Sequence, residues 1–79
     1  MEYVSVISFS LSAFVNGLSL LELQKDLSSM GLVVQSSFNM EDKRNRVFIV
    51  LSDHMLENDD FNGQSWNFDM WLDSCVKIS

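Results

Sequence analysis

The chain has 79 residues, 47% of them apolar and 20% charged, and a net charge of −6 at pH 7. Those values describe one globular domain rather than a disordered tail, and a core this small leaves little room for an enclosed substrate cleft. The sign of the charge argues against direct nucleic-acid binding, which needs positive surface to displace counterions.

The charge is unevenly placed. Residues 1–52 sum to −1, residues 53–73 carry six carboxylates with no Lys or Arg, and Lys77 returns one positive charge. Such asymmetry bears on partners and solubility, not on fold. Cys75 is the only cysteine, so no internal disulfide can form, as expected of a reducing compartment. Met1-Glu2-Tyr3 lacks the basic start of a signal peptide, and the longest apolar runs are far too short to span a bilayer. A cytoplasmic location is expected, with no membrane contact.

The first segment, YVSVISFSLSA, sets Ile7, Phe9 and Leu11 against Ser8, Ser10 and Ser12, a period of two that predicts a strand over 3–11. Asn16-Gly17 interrupts it. A helix over 19–30 has both ends marked. Ser19 with Glu22 forms a capping box, Leu18 and Leu23 are placed for a hydrophobic staple, and Leu20, Leu23, Leu27 and Met30 share a face. Gly31 provides the left-handed residue that ends it. LVVQSSF predicts a strand over 32–38, and NMEDKRN a reversal. RVFIVLS predicts a strand over 46–52, apolar on both faces and therefore central, covered at least partly on each side. In the last element, Phe68, Trp71, Leu72, Cys75 and Ile78 fall on one helical face opposite Asp69 and Asp73, predicting a helix over 67–77. The alternation of Trp66, Phe68, Met70 and Leu72 offers a strand instead, but it breaks at Trp71. The fold class predicted is α+β, in the order β-α-β-β-α, with a three-stranded sheet of order 1-3-2 reached by a right-handed crossover and packed with two helices.

Few residues carry the pattern of a chemical site. Asn58-x-Asp60-x-Asn62-Gly63 with Asp69 loosely resembles an EF-hand calcium loop, but Asn replaces the first Asp, Asp69 replaces the bidentate Glu, and no entering helix is predicted. His54 is the only histidine and Cys75 falls on an apolar face, so neither forms a nucleophile–base pair. No Gly-rich phosphate loop and no zinc spacing is present. Neither catalysis nor a metal or other cofactor is expected. Lys43, Arg44 and Arg46 read as a solvated turn.

The segment 53–73 holds the remaining signal. Glu57, Asp59, Asp60, Asp69 and Asp73 surround Phe61, Trp66 and Met70, and these eight residues are the expected partner-binding set. Apolar anchors ringed by like charge have the composition of a surface that docks on a basic protein, with anchors setting affinity and carboxylates setting on-rate. Carboxylates on a rigid domain can act as a DNA mimic, imitating a row of phosphates. In size and acidity the chain resembles virus-encoded inhibitors of host defence, anti-CRISPR proteins among them. That resemblance implies an inhibitor occupying the nucleic-acid-binding surface of its partner, in the host cytoplasm. The alternative is an assembly, immunity-like or antitoxin-like module, or a homodimer paired through a sheet edge.

Overall fold

Residues 1–78 are described by a computed structural model. Four eight-residue strands form one antiparallel sheet: β1 (Tyr3–Ser10), β2 (Val33–Met40), β3 (Asn45–Ser52) and β4 (Met70–Lys77). Their spatial order is β2-β3-β1-β4. A short helix α1 (Leu11–Val15) and a longer α2 (Leu20–Ser29) separate β1 from β2. The domain is thus a small α+β unit.

The predicted order 1-3-2 is present within this sheet, but the sheet has a fourth strand. The chain over 70–77 is β4, not a helix, and it extends the sheet beyond β1. Its periodicity is broken by a bulge. Ile7 pairs with Leu72 and Val6 with Ser74, so Asp73 is the extra residue. Met70, Leu72 and Cys75 therefore all turn toward the core, at spacings of two and then three. That sequence of spacings imitates a helical face. Phe68, Trp71 and Ile78, which a helix would have buried, are exposed.

The marked helix forms as its ends specify. Ser19 is the N-cap, its Oγ accepting the Glu22 N–H at 3.3 Å. At the other end Leu32 N–H reaches Leu27 O and Gly31 N–H reaches Ser28 O, with Gly31 at φ +83°. This pairing satisfies the last carbonyls and needs a left-handed residue, which glycine supplies without a Cβ clash. Leu23 and Leu27 are fully buried by the face this helix turns inward. The single turn α1 is where β1 stops short of its predicted end. Ser10 caps it, Ala13 is buried, and Phe14 meets Phe9 edge-on at 6.3 Å.

One face of the sheet carries the core. Ile7 and Phe9 from β1, Phe48 and Val50 from β3 and Met70 from β4 meet Leu23, Leu27, Leu32, Leu56, Phe61 and Trp66. β3 ends opposite Tyr3 and β4 begins opposite Phe9, so residues 53–69 travel the length of β1 before rejoining the sheet. This irregular segment, with two 3₁₀ turns at Asn58–Phe61 and Asn67–Asp69, helps cover the core where a second long helix was predicted. Among the described residues the other face has no such layer. Val47, Ile49 and Leu51 of β3 point there beside Val4 and Val6 of β1, and Phe38 and Trp71 flank them on the two edge strands. The strand predicted to be at least partly covered on each side is central, and on its second face Val47 is 3% exposed and Ile49 and Leu51 are partly buried, although among the described residues no helix packs there.

Two positions hold stability in reserve. Arg44, in the β2–β3 turn, sits at φ +54°, a left-handed conformation in which side chains are disfavoured by about 1–2 kcal/mol. Arg44→Gly is expected to raise stability by up to about 1 kcal/mol after glycine's own entropy loss, read as an increase in Tm. Ser5 is fully buried on the core face, and its Oγ has no hydrogen-bond partner. Ser5→Ala removes that stranded hydroxyl and is expected to stabilise by about 1 kcal/mol in chemical denaturation. A loss of stability there would mean that the hydroxyl is satisfied by an internal water.

Candidate functional site

Segment 53–69 sorts its side chains cleanly by character. Leu56, Phe61 and Trp66 turn inward, while Asp53, Glu57, Asp59 and Asp60 are exposed and Asp69 is half-exposed. Trp66 is only 3% exposed, with its ring edge-on to Phe9 at 5.3 Å and tilted against Phe61 at 6.0 Å. Its Nε1–H donates to Asp26 Oδ2 of α2 at 2.9 Å, binding the segment to the helix across the core.

The expected partner-binding set therefore divides. Phe61, Trp66 and Met70 are core residues and cannot serve as exposed anchors on this surface. The core absorbs them because segment 53–69 is itself part of the covering layer. The exposed apolar side chains of this stretch are Met55 and Phe68, the latter 92% exposed. Sequence pattern placed Phe68 on a buried helical face, and the competing alternation of Trp66, Phe68, Met70 and Leu72 would have buried it too, so no local signal marked it as exposed.

The carboxylates also differ among themselves. Asp60 accepts the Glu57 N–H at 2.8 Å, closing the turn that seats Phe61, and lies 4.0 Å from His54 Nε2. Asp73, at the bulge of β4, accepts the Ser8 hydroxyl on the face of the sheet opposite the core. Asp59 makes only a long contact with Asn62 Nδ2 at 3.5 Å. Glu57 and Asp69 use their backbones in the two turns. Among the described residues no Lys or Arg lies within 4.0 Å of any carboxylate, His54–Asp60 being the one contact of opposite potential charge. The carboxylates of this segment are thus not neutralised by direct ion pairs with Lys or Arg.

The EF-hand-like spacing does not fold into a cage. Asp60 is turned to its own backbone, and the residue between Asp60 and Asn62 is the buried Phe61. Among the described residues no three His, Cys, Asp or Glu side chains gather as metal ligands. Cys75 is half-buried in β4, facing the core, where its Sγ accepts the Leu56 N–H at 3.4 Å. Of the basic cluster, Arg46 is bound into the sheet by Ser37 Oγ at 2.7 Å and Asn39 Oδ1 at 3.1 Å, which leaves Lys43 and Arg44 as the exposed cations of the turn. Among the described residues no helix is long and apolar enough to cross a membrane.

Comparison with protein-family models, with curated proteins and with solved structures finds no match to this chain.

Proposed function

We propose that this protein is a non-enzymatic binding module that docks its acidic wall onto a basic protein surface, and acts as an inhibitor by occupying a surface that would otherwise hold nucleic acid. The observation that carries this reading is the row of carboxylates along 53–69 with no Lys or Arg within ion-pair distance. A domain that needed charge only for solubility gains nothing from concentrating it on one side, whereas a docking surface gains long-range steering. Met55 and Phe68 replace the buried aromatics as apolar contacts, since both are exposed beside those carboxylates. An anti-defence role against a host nucleic-acid-binding complex fits the same chemistry.

The test is binding kinetics against the partner recovered by affinity capture, at two salt concentrations. Reversing Glu57, Asp59 and Asp69 to Lys is expected to abolish binding with the fold intact, because exposed polar substitutions usually change stability by no more than about 0.5 kcal/mol. Asp60 and Asp73 are left unchanged in this variant because each holds a hydrogen bond of the fold. Asp59→Asn should mainly slow association, and Phe68→Ala should mainly speed dissociation. Lys43→Glu with Arg44→Glu should leave binding intact. If the hairpin variant loses binding and the acidic variant keeps it, the docking surface is the other one.

A further inference from the structure

The uncovered face of the sheet is the largest feature the acidic wall does not explain. Each of its four strands contributes apolar side chains, interleaved with Ser8, Ser36 and Ser74; Val47 at its centre is 3% exposed, while its two edge aromatics, Phe38 and Trp71, remain 46% and 52% exposed. We propose that a second copy of this chain covers it, giving a homodimer in which two sheets pack face to face.

Charge favours a second copy over a basic partner. Two chains of net charge −6 can meet only where carboxylates are absent. Within the strands this face carries one charged side chain, Asp73, whose carboxylate already accepts the Ser8 hydroxyl. A basic partner would find only that one carboxylate here to pair with.

The strand register supplies self-complementarity. Phe38, Val47, Ser8 and Trp71 form one row across the sheet, and Val33, Leu51, Val4 and Val76 form another. A two-fold axis parallel to the strands exchanges the ends of every row. It sets Phe38 of one protomer over Trp71 of the other, twice, and Val33 over Val76 twice. Val6 and Ile49 lie near the axis. The same operation carries Asp73 over the opposite edge strand and away from its symmetry mate, so no like-charge contact forms.

Area and edges agree with this arrangement. Four strands about 4.8 Å apart and eight residues long at about 3.3 Å each span about 500 Å², or about 1,000 Å² for the pair before side-chain relief. That reaches the size at which a specific interface becomes plausible, about 1,000 Å². Pairing through a sheet edge is less favoured, because both edge strands are bulged, β2 at Gln35 and β4 at Asp73. Bulges twist an edge away from a flat neighbour.

Sedimentation equilibrium and cysteine cross-linking test the proposal. The native chain is expected to associate reversibly to twice its 9.1 kDa mass as concentration rises. Trp71→Glu and Phe38→Lys should each weaken dimerisation about thirtyfold or more, the effect of placing a charge in an aromatic contact that the two-fold axis repeats, and the two variants serve as checks on one another should either misfold. Glu57→Lys with Asp59→Lys should leave the dimer in place. In a Cys75→Ala background, Phe38→Cys mixed with Trp71→Cys should give a disulfide between the two variants in preference to either with itself. A native chain that stays monomeric at hundreds of micromolar overturns the proposal. So does a dimer that survives both Trp71→Glu and Phe38→Lys, or cross-links that form equally between like variants.

Discussion

Trp66→Ala is expected to unfold most of the protein at room temperature or leave it melting about 15–30 °C lower. Truncating a buried Trp costs about 3–5 kcal/mol, and a chain of this length has roughly 4–12 kcal/mol in all. One kcal/mol moves the Tm of so small a domain by about 4–8 °C. The loss is large here because Trp66 joins three parts of the molecule. Its ring packs on Phe9 of the sheet and Phe61 of the covering segment, and its Nε1–H ends on Asp26 of α2. Trp66→Phe separates these roles. It keeps most of the apolar surface and removes only the donor, so it should cost about 1–2 kcal/mol, part of it from the half-buried Asp26 left unpaired. Asp26→Ala breaks the same bond from the other side, and the double variant should be less destabilised than the two single losses combined. Thermal melts of the four proteins decide it. A Trp66→Ala protein melting within a few degrees of the native one would mean that segment 53–69 is not part of the core.

Phe9→Ala is expected to be at least as severe, about 4–5 kcal/mol, and to leave no folded population under mild denaturant. Phe9 is fully buried, and three rings surround it edge-on: Phe14 at 6.3 Å, Phe48 at 5.5 Å and Trp66 at 5.3 Å. Each such pair contributes about 0.5–1.5 kcal/mol beyond the area it buries. Phe9→Leu keeps the volume nearly constant and isolates that contribution. Combined with Trp66→Leu, which removes the partner ring, in a double-mutant cycle, it should show a coupling of about 0.5–1.5 kcal/mol. Strict additivity in urea titrations would mean that the ring contact is geometric coincidence.

The elements with local signals were legible in the sequence. The α2 helix is specified within its own residues, by Ser19 at one end and Gly31 at the other. β3 is legible because an unbroken apolar run of five, rich in branched residues, leaves few alternatives, and its central place follows. β4 was misread for a reason that lies far from it in the chain. Its inward residues, Met70, Leu72 and Cys75, are spaced two and three apart because Asp73 bulges, and Asp73 is held by Ser8 on β1. No window of sequence around residue 73 contains that bond. The acidic side chains were legible as surface, since carboxylates are rarely buried unpaired. The apolar members of the candidate site were not, because losing one helix from the covering layer transferred its task to 53–69. Phe61 and Trp66 moved inward with that change, and Phe68 moved out.

The place of β1 in the sheet has a kinetic consequence. It is the first strand in the chain, and its two neighbours are the third and the last, with Tyr3 opposite both Ser52 and Lys77. Its β4 side can be completed only when nearly the full length of the chain is available. Loop-closure entropy must be met before those pairings stabilise anything, so collapse should be led by α2 and the β2–β3 hairpin, with β1 joining β3 and β4 docking late. Until it does, β1 has an unpaired edge, and the partly folded domain is at its most prone to aggregation.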